Sequence, residues 1–226
     1  VNYTEKYFSD ASKKYDRRAK YLWVKWILGN IAGSITKNSK IKILDLGAGT
    51  GMLTFFVAKK KPNSTVIGTD LSKGMLEAAN KKNINKRVSF RCMNSENVEF
   101  EKNTFDYVIS NCSFHHVRNK SKSFKGIFRA LKPKGVFVLG DYFEANKKSK
   151  KNGLSLGKSS SRFENEFKKS FREFVKETYN KKTKHPREYI IGTEICKNLL
   201  KKSGFKKIKL IQSPMEEISI IAARNP

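Results

Sequence analysis

The sequence predicts an α/β protein: a doubly wound, mostly parallel sheet finished by an antiparallel C-terminal hairpin. Three observations carry this. Apolar strand-like runs alternate with helical stretches between residues 41 and 142, the period of a parallel sheet with helices on both faces. The first of those runs passes straight into a glycine turn, ILDLGAGTG at 43–51. Two β-type runs then close the chain, 204–213 and 216–224, split only by Pro214-Met215. With no helix between them they should pair as a hairpin. At 226 residues and 38% hydrophobic content, the chain suffices for one α/β domain with a full core. A single domain is expected over 1–226, with an N-terminal helix at 15–33 and a lid-like insertion at 144–189.

The elements follow in order. In YDRRAKYLWVKWILGNIAG (15–33), Tyr15, Ala19, Leu22 and Trp26 recur at helical spacing, and Gly29 or Gly33 can end the helix. Trp23 and Trp26 beside lysines also fit a membrane-surface helix, although packing on the domain is the commoner fate of such a stripe. IKILDL (41–46) is a strand. MLTFFVAKK (52–60) is a helix with Leu53, Phe56 and Val57 toward the sheet. TVIGTD (65–70) is a strand, and Ser72 can cap the helix that follows. RVSFRC (87–92) and FDYVIS (105–110) are strands, Asp106 marking entry from solvent. SFKGIFRAL (123–131) is a helix stopped by Pro133, and Lys134-Gly135 turns into the strand VFVLGDY. Residues 144–161 are polar, basic and Gly/Ser-rich, a loop composition. Phe163, Phe167, Phe171, Phe174 and Val175 then form an apolar seam opposite Lys168, Lys169, Arg172 and Lys176. That pattern fits a lid helix over the sheet or an ordinary surface helix.

Function is concentrated in the glycine turn and in Asp70, nineteen positions after Gly51. Glycines let the backbone approach a ligand, and an acid closing the second strand accepts from ribose hydroxyls. A dinucleotide fingerprint, G-x-G-x-x-G/A, needs a small residue where Met52 stands. Asp45, two positions before Gly47, would repel a pyrophosphate but not a ligand bearing ammonium and sulfonium groups. The loop therefore fits a cationic nucleoside better than NAD.

At these residues the chain resembles the class I S-adenosylmethionine-dependent methyltransferases, whose first motif is h-h-D-h-G-x-G-x-G. Ile43 to Gly51 match it without a gap. The likeness covers about residues 10–140 well and the final hairpin loosely. It implies a Rossmann-like, seven-stranded sheet of order 3-2-1-4-5-7-6 and S-adenosyl-L-methionine as cofactor. It places Asp45, Gly47, Ala48, Gly49 and Gly51 at the methionine part, Asp70 at the ribose and Leu71 on the adenine. The loop Asn94-Ser95-Glu96 edges the adenine. Asn94 stands where the family usually has an acid; it remains an acceptor, and it is equally a turn former. Asn111 falls beside the amino acid end. Tyr15 matches a position that closes over the cofactor in related enzymes, and its other reading is a core aromatic. His115 and His116 follow a strand end, where an imidazole can act as a general base; in similar enzymes such a pair is often a packing element. Adjacent histidines point in different directions and the spacing to His185 gives no ligand signature, so no metal site is expected.

The acceptor is less legible. Asn111-Cys112-Ser113-Phe114 lacks the Asn/Asp-Pro-Pro-Tyr/Phe motif of amino-directed nucleic-acid methyltransferases. The His-His loop and the RALKPKGVFVL stretch resemble enzymes acting on small molecules, including quinone-biosynthesis and natural-product methyltransferases. Wobble-uridine tRNA carboxymethyl methyltransferases share the His-His loop. With a net charge of +28, RNA stays an alternative partner. The lysines nevertheless occur in every segment and greatly outnumber arginines, which fits compositional drift better than a dedicated groove. A nucleoside-binding protein without catalysis is a further alternative. Three widely spaced cysteines give neither a disulfide framework nor zinc-ligand spacing. The opening VNYTEKYFSD lacks the layout of a secretory signal, and no apolar run reaches the ~20 residues of a membrane span. A reducing, cytoplasmic setting is expected.

Overall fold

The computed structural model describes residues 3–144, 161–178, 186–215 and 217–226. The expected alternation is present. Strands β1 (Lys42–Leu46), β2 (Thr65–Asp70), β3 (Val88–Cys92), β4 (Phe105–Asn111) and β5 (Leu131–Tyr142) pair in parallel, and β6 (Lys206–Gln212) and β7 (Ile218–Arg224) close the sheet. The order is β3-β2-β1-β4-β5-β7-β6. The terminal hairpin forms as expected, with β7 antiparallel to both β5 and β6.

Side-chain alternation along the strands sorts the core into two layers. Ile43, Val66, Tyr107, Ile109 and Val138 face α2 (Leu22–Gly33) and α3 (Met52–Lys60). Leu44, Leu46, Val108, Phe137 and Leu139 face α5 (Lys120–Ala130) and α7 (Thr193–Lys202). Between them in sequence lie α1 (Tyr3–Tyr15), α4 (Lys73–Lys82) and α6 (Arg162–Thr178). Ser72 caps α4 as its sequence suggests, its Oγ accepting from Met75 N at 3.2 Å.

Several boundaries differ from expectation for physical reasons. The expected helix 15–33 is two helices. Asp16–Lys20 is a 3-10 turn, and Tyr21 is extended at φ −73, ψ 135. The break lets Tyr21 and Trp23 both bury against Phe174 (ring centroids 5.7 and 4.7 Å). It also leaves Asp16 free to accept from Thr50 Oγ1 at 2.5 Å and to pair with Lys82 at 2.6 Å. The N-terminal helix α1 precedes this break and carried no expectation. Phe56 is only partly buried, while Leu53 and Val57 are fully so. Asp106 does not open to solvent. It is 6% exposed, pairs with Lys37 at 3.1 Å and Lys132 at 2.8 Å, and accepts from Lys42 N. Strand β5 begins at Leu131, before the expected start, with Lys134 at φ 63 inside it. In the 144–189 insertion, the loop expected at 144–161 falls almost wholly outside the described residues. Helix α6 is described and packs beside α2. Phe167 and Phe174 are buried, and Ser170 Oγ accepts from Leu22 N at 2.8 Å.

Candidate active site

The sheet order reverses between β1 and β4, and a crevice opens beyond the strand ends there. It is a cavity of about 510 Å³ lined by Gly47, Gly49, Asp70, Leu71, Asn94 and Ser95, joined by Glu5, Phe8 and Tyr15 from α1 and by His116, Arg187 and Tyr189. The glycine turn is shaped by its backbone. Gly47 sits at φ 71, and a Cβ there would lie 2.2 Å from Ser113 Oγ. Gly51 sits at φ 85 as the residue ahead of α3. Such angles admit glycine and few other residues.

Asp70 ties two loops together. Its Oδ2 accepts from Gly49 N at 2.9 Å and its Oδ1 from Ser72 N at 2.8 Å. Burial raises its pKa, against the pull of these backbone donors. Further donors, such as a pair of ribose hydroxyls, would stabilise the carboxylate. Asn94 Oδ1 accepts from Glu96 N at 2.9 Å, so the turn-forming reading holds locally while the side chain still borders the cavity. Glu96 Oε1 in turn receives Arg118 N and Asn119 N at 2.7 and 3.0 Å. Ser95 O accepts from Ser123 Oγ at 2.7 Å.

Four residues expected at the cofactor do not line the cavity: Asp45, Ala48 and Gly51 lie in or beneath the turn, and Asn111 lines a neighbouring pocket instead. Asp45 is 1% exposed beneath the turn, where Oδ2 accepts from Thr54 Oγ1 at 2.6 Å and Oδ1 has no partner. Burial pushes its pKa to about 7, helped by the Asp70 charge and opposed by the Thr54 hydrogen bonds. The strand alternation that puts Leu44 and Leu46 on one face turns Asp45 to the other, under α3. Ala48 and Gly51 serve the turn itself: Ala48 N donates to Thr69 O at 2.8 Å and Gly51 N to Ala48 O at 2.9 Å.

A second, smaller pocket of about 40 Å³ adjoins the first and shares Phe8, Tyr15, Cys112 and His116 with it. Its other walls include Arg18, Trp23, Asn111, Tyr142 and Phe174. Asn111 Oδ1 is buried without a partner, an acceptor suited to an ammonium group. Tyr15 contacts both cavities and underlies the Arg18 guanidinium, 4.2 Å from its ring centroid. Cys112 turns the chain at φ 49, and burial drives its thiol pKa well above the usual value.

The two histidines have different situations. His115 is buried; its Nδ1 lies 2.6 Å from Asp141 Oδ1, and its backbone N donates to Asp141 Oδ2 at 3.1 Å. That clamp fixes the loop. His116 borders both cavities. Burial and the neighbouring His115 lower its pKa to about 4, so it is a neutral imidazole at pH 7. Lys120 Nζ and His115 O hold the segment around Tyr189 over this loop at 2.5 and 2.6 Å, which brings Arg187 to the cavity and Glu188 to the histidines. His115, His116 and Glu188 each offer a ligand atom within 4.8 Å of the others. Spacing along the chain carries no sign of this cluster, which forms where the segment around Tyr189 packs over the histidine loop. His185 lies outside the described residues. Sequence reasoning missed Glu5, Phe8, Arg187 and Tyr189 at the crevice and Arg18 and Tyr142 at the smaller pocket, because each reaches its cavity through a contact far away in sequence.

Fold and site together define an α/β protein with a large crevice at the switch point of its sheet and a second, smaller pocket beside it. Residues 37–187 match the family described as Methyltransferase domain, and the chain belongs to that family. It is similar to malonyl-[acyl-carrier protein] O-methyltransferase of Priestia megaterium, 36% identical over 105 residues, 46% of this chain and 38% of the relative. It is also similar to the mitochondrial 2-methoxy-6-polyprenyl-1,4-benzoquinol methylase of Caenorhabditis elegans, 26% identical over 152 residues, 62% of this chain and 52% of the relative. The chain spans about half or less of the length of the first such relatives. The fold matches Haemonchus contortus phosphoethanolamine N-methyltransferase 2, solved with S-adenosyl-L-methionine. The TM-score is 0.64 at 21% identity, covering 97% of this chain and 60% of that one. Among the described residues, no helix is long and apolar enough to cross a membrane.

Proposed function

We propose that the protein transfers a methyl group from S-adenosyl-L-methionine to a small-molecule acceptor. The observation that carries this reading is the joining of two cavities: a nucleoside-sized crevice walled by Gly47, Gly49, Asp70 and Leu71, and an inner pocket meeting it at Tyr15, Cys112 and His116. Family membership and the named acceptors of the relatives support it. Bound in the crevice, the cofactor supplies an electrophilic methyl carbon that the acceptor's lone pair takes as the carbon–sulfur bond breaks, the bonding pair staying on sulfur.

The residues do the rest. Asp70 would receive the ribose hydroxyls and Leu71 would cover the adenine. Tyr15 and Phe8 of α1 exclude water from the junction. His116, neutral at pH 7, can take a proton from an acceptor hydroxyl or amine; a carboxylate acceptor needs no such step. Alignment and water exclusion supply most of the rate, on the order of 7–11 kcal/mol of barrier in well-oriented systems.

Calorimetric titration with S-adenosylhomocysteine and, separately, NADH tests the cofactor. Saturable binding of the first and none of the second is expected, and the reverse would overturn the reading. Labelled methyl incorporation across a metabolite panel separates an enzyme from a binding protein that does not turn over. RNA is the second acceptor class, supported by the net charge of +28. RNA binding that falls steeply with salt and labelled methyl entering tRNA would favour it.

A further inference from the structure

The inner pocket holds one donor without a partner and one cation without a carboxylate. Trp23 lines it, is 2% exposed, and its Nε1–H has no hydrogen-bond partner. Arg18, half-buried, lines the same pocket. Its guanidinium lies between two rings, 4.2 Å from the Tyr15 centroid and 5.2 Å from that of Phe174. The side chains whose charge acts most on it are Tyr15, Tyr142, Tyr7 and Cys112, none of them a carboxylate, and the Tyr15 hydroxyl is hydrogen-bonded to it. Among the described residues no carboxylate forms an ion pair with it, whereas Lys20, Lys37, Lys82 and Lys132 each have one. Stacking on aromatic faces stabilises a guanidinium by about 0.5–2 kcal/mol, and one bond to Tyr15 leaves most of the five donors of its planar fork for another acceptor. A cation and an indole N–H withdrawn together from water call for an oxygen acceptor.

Pocket size agrees. At about 40 Å³, it has room for roughly three water-sized oxygens at ~10–15 Å³ each. That suits the head of a carboxylate or phosphate and not a whole acceptor. The rest of the molecule must pass the shared rim of Phe8, Tyr15, Cys112 and His116 into the larger cavity.

Building on the methyl-transfer reading, we propose that the acceptor carries an oxyanion, which Arg18 and Trp23 Nε1–H hold in the inner pocket while the atom to be methylated lies at the rim beside His116. Arg18 thereby selects the charge class of the substrate. Its fork can meet either a carboxylate or a phosphate with paired hydrogen bonds.

The test uses the full chain, with and without saturating S-adenosylhomocysteine. Acetate, inorganic phosphate and neutral acetamide are titrated, following tryptophan fluorescence and heat. Trp23 is one of two tryptophans in the chain, so an occupant should perturb the emission. Saturable binding of acetate or phosphate, with acetamide at least about tenfold weaker, is expected; whichever anion binds tighter assigns carboxylate or phosphate. Arg18→Met should lose about tenfold or more in anion affinity, Arg18→Lys should recover part of it, and Trp23→Phe should cost a few-fold. Absence of saturable binding by both anions overturns the proposal, as does equal binding of acetamide or unchanged affinity in a folded Arg18→Met. The wild-type comparison decides even if that variant does not fold. The S-adenosylhomocysteine titration on the same samples keeps a failure of the cofactor reading separate from a failure here.

Discussion

The two cavities are built in opposite ways. One wall of the nucleoside crevice is shaped by backbone: a glycine turn at φ 71, 54 and 85, and an acid held in place by Gly49 N and Ser72 N. The inner pocket is made of side chains from seven separate places: α1 and the turn after it, α2, α3, the end of β4, the histidine loop, the end of β5, and α6. A backbone-built wall is specified by a few adjacent residues and tolerates little change. A side-chain wall can be rebuilt one residue at a time, so the acceptor half of such a fold is where specificity can vary.

The largest effect concerns the buried acid beneath the crevice. Asp45 has a folded pKa of about 7 against a usual 3.8. Between these values the folded chain keeps a proton that the unfolded chain releases, so stability falls as pH rises from about 4 to about 7. At ~1.4 kcal/mol per unit the span amounts to roughly 4 kcal/mol. Asp45→Asn should remove that slope in denaturant titrations at several pH values. An unaltered pH profile would mean that Asp45 is not held as its burial implies.

Gly47→Ala comes next. The added Cβ lies 2.2 Å from Ser113 Oγ and 2.3 Å from Ser113 Cβ at a positive φ, and about 3 kcal/mol of destabilisation is expected. Ser113→Gly in the same chain should recover the steric share and leave about 1 kcal/mol from the backbone angle. A double-mutant cycle in thermal melts reads this coupling, and strict additivity would break the backbone-built picture.

Asp70→Ala should weaken S-adenosylhomocysteine binding by roughly 1.5–3 kcal/mol, because a charged acceptor is lost. An unchanged dissociation constant would detach Asp70 from the ligand. On the side-chain half, Ser170→Ala leaves Leu22 N without its 2.8 Å partner and should cost about 1 kcal/mol of stability, visible as a drop in Tm. The smallest expected change is a flat response. With His116 near pKa 4, its protonation should leave turnover level from about pH 5.5 upward and reduce it only as the pH approaches 4. A rate that climbs through pH 6–7 and loses that climb in His116→Gln would show a different protonation at the rim.

What the sequence could show, and what it could not, follows from how far apart the determining residues lie. The parallel sheet, the hairpin and the crevice's glycine wall were readable because strand alternation, helical spacing and glycine's access to positive φ are local properties. Asp70 was readable because it closes a strand that must end at the crevice. The break at Tyr21, the burial of Asp106 between two lysines, the seclusion of Asp45 under Thr54 and the convergence of Arg18, Trp23 and Phe174 were set by tertiary structure alone. Each depends on partners brought close by packing, and packing outweighs the modest local preferences of the residues it joins.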